Sequence, residues 1–312
     1  MTNQPFLQEV ENDSGLNNLK STQDWLKENK IFIELKLEEH GAIIFKDIPV
    51  KTAEDFDQFV STFNYETFTY EESLSNAVRI NKTDKVFTAN EAPREVEIFL
   101  HHEMAQTPTY PKNIFFFCKS ASETGGETPL CRSDQLYEAL LKADKALLES
   151  FEKFGVIYNS IMSSGDELIS GQGRSWQKTL GVSSKNDAEA KLSKLGYSWN
   201  WIEDDNLSVT TKTLQATKEL GNGQKSFFNQ VIAASLGWKK NSENQIAPVR
   251  FGNGEEIKES YIELISELAQ SLTLLRSWQD RDILLIDNYR VMHGRKPFSG
   301  NKNREVLVSL TN

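Results

Sequence analysis

Buried strands near both ends of the chain are the feature that most limits its possible folds. On the amino-terminal side, AIIF (42–45) and KNIFFFC (112–118) are continuous apolar runs that predict buried strands. On the carboxy-terminal side, ILLID (283–287) and EVLVSL (305–310) predict two more, with HGRKPFSGNKN as a loop between them. Strands that bracket a long middle region favour a β-sandwich or jelly roll with helices outside it, an α+β fold that is mainly β, over a doubly wound parallel sheet.

Helical patterns accompany these strands. Thr52 and Asp55 have the spacing of a helix start, and Phe56, Phe59 and Val60 follow at helical intervals. The stretch 133–154 predicts one long amphipathic helix that Gly155 ends, and helical patterning returns at 257–275.

The length of 312 residues favours a single domain with insertions. We expect a loosely ordered amino terminus at 1–20 and one domain over 21–312, with a large insertion at about 160–250. The insertion contains GQGRSW (171–176) and a polar segment (239–245). Its tryptophans, Trp176, Trp199 and Trp201, are candidates for a lid over a site, although core packing is the commoner role of this residue.

The composition excludes several classes of protein. A net charge of −10 does not fit a nucleic-acid-binding surface or attraction to an anionic membrane. The amino terminus lacks the basic and apolar parts of a signal peptide, and the longest apolar runs cannot span a bilayer, so we predict a cytoplasmic protein. Cys118 and Cys131 form neither a disulfide framework nor a zinc ribbon, and both are expected to be reduced.

The chain contains only four histidines. His101 and Glu103 are two residues apart, so on a strand their side chains would project to one face, with His102 on the other. His293 follows a predicted buried strand and is the best candidate for a third ligand. Two neutral imidazoles and a carboxylate leave three adjacent positions open on six-coordinate Fe(II), enough for a bidentate co-substrate and oxygen. The same residues also form a catalytic zinc set, so the spacing alone leaves the metal open.

Several segments in order carry a resemblance to a known family. Leu100 to Gln106 (LHHEMAQ) resembles the H-x-E segment of the Fe(II)/2-oxoglutarate-dependent dioxygenases, in the taurine dioxygenase/clavaminate synthase-like group. The other matching segments are FTANEAP (87–93), PKNIFFFC (111–118), GGETPL (125–130), FFNQVIAA (227–234), DILLIDNYRVMHGRKPF (282–298) and NREVLVSL (303–310).

The resemblance implies a double-stranded β-helix, or jelly roll, with Fe(II) held at one open end by His101, Glu103 and His293. It implies that Arg304, eleven residues after His293, binds 2-oxoglutarate with help from the hydroxyl group of Thr128. A guanidinium suits this role because it grips a carboxylate through two hydrogen bonds. A glutamate ligand is the clavaminate synthase-type variant, and its presence argues against halogenase chemistry.

One departure from the family pattern limits the substrate. Taurine dioxygenase-type enzymes hold the sulfonate with a second arginine, and Val308 stands at that position here. A sulfonate substrate is therefore not expected.

Other residues carry weaker signals for a role in substrate binding. Asn90, Gln106 and Asn229 are candidate pocket residues, and Arg295 is a candidate for an anionic group. Their alternative roles are backbone capping and a structural ion pair. His40, which precedes Gly41, is expected at a helix end.

We therefore predict an Fe(II)- and 2-oxoglutarate-dependent oxygenase that binds O₂ and oxidises a small molecule, with amino acids and their derivatives as the first substrates to test. No catalytic residue beyond the metal centre is predicted. The sequence does not predict the oligomeric state. A zinc-dependent hydrolase is the first alternative, although the H-E-x-x-H motif of such peptidases is absent from the sequence. A non-catalytic jelly-roll binding protein is the second.

Overall fold

The computed structural model describes residues 6–13, 15–69, 74–75, 77–166, 173–221, 223–238 and 246–312. Its helices are α1 (Leu19–His40), α2 (Ala53–Ser61), α3 (Ser133–Ala143), α4 (Lys145–Phe154), α5 (Trp176–Leu180), α6 (Lys185–Leu195), α7 (Val231–Gly237) and α8 (Glu259–Ser271). Its strands are β1 (Gln8–Val10), β2 (Ala42–Phe45), β3 (Phe87–Thr88), β4 (Ile98–His101), β5 (Asn113–Ser120), β6 (Thr124–Gly125), β7 (Thr128–Arg132), β8 (Val156–Met162), β9 (Ser198–Trp201), β10 (Leu207–Thr210), β11 (Lys218–Gly221), β12 (Gln224–Ser226), β13 (Val249–Phe251), β14 (Thr273–Arg276), β15 (Ile283–Asp287), β16 (Val291–Arg295), β17 (Phe298–Ser299) and β18 (Glu305–Thr311).

The four strands predicted from apolar runs lie in one six-stranded sheet, with the order β1-β2-β15-β5-β18-β3. Strand β15 pairs antiparallel with β2 and β5, and β18 pairs antiparallel with β5. Strand β1 joins the edge in parallel with β2, so part of the polar stretch expected to be loosely ordered at 1–20 is tied into the sheet. The prediction of these four strands is confirmed.

The two faces of this sheet are covered differently. Along β5, Phe115 and Phe117 point to one face, where they pack with the apolar sides of α1 and α2. Ile114 and Phe116 point to the other face, as the alternation of side chains in a strand requires. The capping box at the start of α2 is present as predicted, with Thr52 accepting from the backbone N–H of Asp55.

A four-stranded sheet, β14-β7-β16-β4, packs on that second face. Leu130 of β7 and Val291 of β16 belong to the same apolar cluster as Ile114 and Phe116 of β5, so the two sheets share a core. Strand β16 lies where the sequence predicted a loop, because His293 and its neighbours pair with both β7 and β4. Within the described residues the sheets are open, and the fold is a mixed arrangement of helices and sheets.

Strands β9, β10 and β13 of the region predicted as an insertion form a second four-stranded sheet with β8, which begins before that region, in the order β13-β8-β10-β9. Helices α5 and α6 lie in the same region. Trp176 is buried and packs edge-on against Trp201, with 5.1 Å between ring centroids. Trp199 packs against the same apolar cluster, and none of the three tryptophans lines the cavity described below. Residues 171–172 of the GQGRSW segment and the polar segment 239–245 lie outside the described residues.

The stretch 133–154 is not one helix, as predicted, but two. The backbone at Asp144 has φ −152° and ψ 86°, which breaks the helical path between α3 and α4. The Asp144 side chain then caps α4 by accepting from the backbone N–H of Leu147 at 2.9 Å.

Among the described residues, no helix combines the length and the apolar character needed to cross a bilayer.

Candidate metal and co-substrate site

One cavity of about 130 Å³ brings together most of the residues that the sequence singled out. Those lining it are His101, Glu103, His293, Thr128, Arg304, Asn90, Gln106 and Arg295. Asn229 is not among the lining residues.

Strand pairing positions the two predicted histidine ligands. His293 in β16 lies directly opposite His101 in β4, and the two ring centroids are 4.4 Å apart. The Nδ1 atom of His101 is 2.8 Å from the carbonyl oxygen of Phe99. Because a carbonyl only accepts, Nδ1 carries the proton, which leaves the Nε2 lone pair available to a metal ion.

Glu103 reaches the histidines from a turn, not from a strand. Strand β4 ends at His101, so the expectation that a strand places both side chains on one face is wrong for Glu103. Its Oε2 atom lies 3.5 Å from Nε2 of His293, and one ligand atom from each of the three residues lies within 4.8 Å of the others. His102 faces away from this group, as predicted: its Nδ1 bonds the backbone oxygen of Asn288, and its ring packs on Phe228.

Arg79 is a residue of the site that the sequence reasoning missed. Its Nη2 atom donates to Oε1 of Glu103 at 2.8 Å, and both side chains are almost fully buried. Arg79 stands 24 positions before Glu103 in a segment with no recognisable motif. Its burial and its ion pair with Glu103, neither of which a sequence displays, mark it as part of the site.

Burial and neighbouring charge set the protonation states. Burial, reinforced by the proximity of His293, lowers the pKa of His101 to about 4. Burial alone would raise the pKa of Glu103, but Arg79 and the two histidines outweigh it and hold that pKa well below its usual value. At neutral pH the site thus offers a neutral imidazole at His101 and an ionised carboxylate, the forms that bind metal.

The donor set fits a divalent metal ion. Oε2 of Glu103 is buried and makes no hydrogen bond within the described part of the chain, while Oε1 is occupied by Arg79. A buried carboxylate oxygen that points at two imidazoles is costly unless a cation is bound there. Two nitrogen donors and one oxygen donor match the 2-His-1-carboxylate arrangement of non-haem Fe(II) enzymes.

The predicted co-substrate residues line the same cavity. The indole Nε1 of Trp278 donates to the hydroxyl oxygen of Thr128 at 3.0 Å, which leaves the hydroxyl proton of Thr128 to be donated elsewhere. Arg304 lies just before β18, with its guanidinium 5.2 Å from the ring centroid of Phe298. Its Nη2 donates to the carbonyl oxygen of Gly126 at 3.3 Å.

The second glycine of GGETPL, Gly126, is explained by this packing. A Cβ atom on Gly126 would lie 3.0 Å from Nε of Arg304 and 2.6 Å from the hydroxyl oxygen of Ser122. The backbone of Gly126 also has φ +75°, which favours glycine. Any larger residue would therefore push against the guanidinium.

Two of the four candidate substrate residues make structural contacts. Both Nη atoms of Arg295 donate to the backbone oxygens of Asn90, Ala92, Pro93 and Val96, so this guanidinium holds the loop, and Arg295 also lines the cavity. The Asn229 amide bonds the backbone of Ala216 and Val231, which is the capping role given as its alternative. His40 is the last residue of α1, as predicted, and Val308 is buried in β18.

Comparison with known proteins assigns the chain to a family. The family model named "Taurine catabolism dioxygenase TauD, TfdA family" matches residues 7–310. The chain belongs to the TauD/TfdA family. Enzymes of the TauD/TfdA family use Fe(II) and 2-oxoglutarate, so this chain is an Fe(II)/2-oxoglutarate-dependent oxygenase, as the sequence predicted.

Two related proteins align with most of this TauD/TfdA-family chain. A clavaminate synthase-like protein of Arabidopsis thaliana is 32% identical over 286 residues, which cover 91% of this chain and 86% of the relative. The dapdiamide synthesis protein DdaC of Enterobacter agglomerans is 27% identical over 289 residues, covering 88% and 83% of the two chains. The crystal structure of AAD-2 in complex with Mn(II) and N-oxalylglycine has the same fold, with a TM-score of 0.52, 14% identity, and coverage of 98% of this chain and 94% of that one.

Proposed function

We propose that His101, Glu103 and His293 hold Fe(II), and that the enzyme couples oxidative decarboxylation of 2-oxoglutarate to hydroxylation, or a related C–H oxidation, of a small molecule. The observation that carries this proposal is the convergence of the three ligand atoms within 4.8 Å, in a cavity that Thr128 and Arg304 also line. Membership of the family supports the same reaction.

The chain's part in this reaction is binding and orientation. Arg304 would bind the far carboxylate of 2-oxoglutarate, and Thr128 would donate its hydroxyl proton to the same group. The fixed donor from Trp278 supports this role of Thr128. A structural neighbour crystallised with N-oxalylglycine, a 2-oxoglutarate analogue, is consistent with such a site. Bound Fe(II) supplies the oxygen activation that protein side chains lack.

On the substrate side, we propose contacts from Asn90 and Gln106. The Oε1 atom of Gln106 is buried and accepts no hydrogen bond from the described residues, so it offers an acceptor to an amino or hydroxyl group. An amino acid or a derivative carries such a donor. A sulfonate does not suit the site, because Val308 is buried in an apolar strand where the sulfonate-binding arginine would stand.

We further propose that residues 21–312 form one jelly-roll oxygenase domain, with residues at about 160–250 as an insertion. The jelly roll is supported by the six-stranded sheet and the four-stranded sheet β14-β7-β16-β4, which share one apolar core that includes Phe116. A cytoplasmic location stays a prediction from the sequence.

The function is tested by reconstituting metal-free protein separately with Fe(II) and with Zn(II). Each form is incubated under oxygen with 2-oxoglutarate and a panel of amino acids and small organic acids, and succinate is measured. We expect succinate only with Fe(II), and more of it when the panel contains the substrate. Peptides and esters are assayed in parallel, and their hydrolysis by the Zn(II) form alone would favour the zinc hydrolase. Bound iron with no succinate from any mixture would favour a binding protein.

A further inference from the structure

We propose that Asn288 is a positioning residue that fixes the backbone of Glu103 before metal binds. This inference rests on the proposed metal centre. It adds to that centre a side chain that does not line the cavity.

Glu103 needs such a contact because the sheet does not place it. The two histidines are aligned by the pairing of β4 with β16, but β4 ends at His101. Glu103 lies in the turn that follows, and the next residue, Met104, has φ +59°, a conformation that departs from both strand and helix. The position of the carboxylate ligand thus depends on contacts outside the strand ladder.

Asn288 supplies these contacts through both the oxygen and the nitrogen of its side-chain amide. Its Oδ1 accepts from the backbone N–H of Glu103 at 2.8 Å, and its Nδ2 donates to the carbonyl oxygen of Glu103 at 3.1 Å. The second proton of Nδ2 goes to the carbonyl oxygen of Pro111 at 2.8 Å. An asparagine is required, because aspartate has no donor for the two carbonyl groups. Asn288 is fully buried, so water does not replace these bonds.

The same residue is tied to the strand that carries the third ligand. Asn288 lies between β15 and β16, five positions before His293. Its backbone N–H donates to the carbonyl oxygen of Lys112 at 2.8 Å, and its backbone oxygen bonds the ring of His102. Asn288 therefore links the two separate parts of the sequence that provide metal ligands. A site held in place before metal binds loses less conformational entropy when it is filled.

The first test compares Asn288→Ala with Asn159→Ala by titrating the metal-free proteins with Mn(II) and measuring free Mn(II) by electron paramagnetic resonance. Asn159 is a matched control: it is buried, its amide bonds Thr210 at 2.7 Å, and it does not line the cavity. Changes to groups that orient metal ligands weaken metal affinity by about 10- to 100-fold. We expect a loss of that size for Asn288→Ala and no loss for Asn159→Ala, with unfolding curves measured for both.

The outcomes separate this inference from the proposed function. If the wild-type protein does not bind Mn(II), the metal centre itself is wrong. If the wild type binds Mn(II) and Asn288→Ala binds it equally well, only the positioning role is overturned.

A second measurement needs no variant and decides the question if Asn288→Ala does not fold. Hydrogen exchange of the wild-type protein is followed by mass spectrometry with and without Mn(II). If Asn288 holds Glu103 in advance, the amide of Glu103 is protected in the metal-free protein. Fast exchange that only Mn(II) suppresses would show that metal, not Asn288, orders this turn.

Discussion

At the scale of single residues, Arg79 and Glu103 form a buried ion pair beside the two histidines, with 2.8 Å between Nη2 and Oε1. The pair leaves one carboxylate oxygen for a metal ion, which suits coordination through a single oxygen atom. It also keeps Glu103 ionised in a buried site where carboxylates otherwise tend to take up a proton.

Replacing Arg79 with methionine leaves this carboxylate buried without its guanidinium partner. Breaking one side of a buried ion pair costs about 3 to 5 kcal/mol, so we expect Arg79→Met to lose roughly that much free energy of unfolding. Urea unfolding in EDTA measures the loss. The double variant Arg79→Met/Glu103→Gln should recover part of it, whereas a loss below about 1 kcal/mol in the single variant would match an exposed pair and contradict this account.

Arg304 gives a second prediction at this scale. Lysine keeps the charge but cannot form two parallel hydrogen bonds with a carboxylate. We expect Arg304→Lys to raise the KM for 2-oxoglutarate about tenfold, the equivalent of one charge-assisted hydrogen bond. Steady-state succinate assays measure this, with Arg94→Lys, an exposed arginine that bonds Gly300, as the control. An unchanged KM would show that Arg304 does not bind the co-substrate.

At the scale of elements, strands were easier to predict than the turns between them. The apolar runs of β2, β5, β15 and β18 are continuous because both of their faces are buried, and that signal is local. The turn that carries Glu103 depends on Asn288, which is 185 residues away in sequence. No local pattern shows such a contact.

The break between α3 and α4 was missed for a related reason. Apolar residues recur at helical spacing on both sides of Asp144, so their period predicts one helix. The carboxylate of Asp144 instead starts a new helix, because it accepts from the backbone N–H of Leu147.

The strand β16 was missed because HGR is polar, although its pairing with β7 and β4 buries it.

The capping box of α2 provides a prediction at this scale. Thr52→Ala removes the acceptor for the N–H of Asp55, a change that costs about 1 kcal/mol at a helix start. Urea unfolding should show this loss, while Thr52→Ser, which keeps the hydroxyl group, should stay close to the wild type. Equal stability of the Ala and Ser variants would contradict the capping role.

At the scale of the whole molecule, two histidines with lowered pKa values make the metal-free protein sensitive to acid: His102 is buried and His101 is partly buried. Burial lowers the pKa of His101 to about 4 and that of His102 to about 3, from 6.5 in each case. The unfolded chain therefore binds more protons than the folded one as the pH falls below 6.5. The contribution of these neutral imidazole rings to the free energy of unfolding is fully present above pH 6.5 and is lost as the pH falls towards 4.

Urea unfolding in EDTA at pH 7.5 and at pH 5 measures this effect. We expect a lower free energy of unfolding at pH 5, and a smaller difference between the two pH values in His101→Asn. A free energy that does not change between pH 7.5 and pH 5 would contradict the lowered pKa values of His101 and His102.

An anaerobic titration with Fe(II) tests whether His101, Glu103 and His293 form one iron site. Glu97→Ala is the matched control for Glu103→Ala, because Glu97 lines the same cavity but pairs with Lys296. We expect one Fe(II) per chain for the wild type and for Glu97→Ala, and no tight binding for Glu103→Ala. Binding of Fe(II) by Glu103→Ala as tight as that of the wild type would contradict this expectation.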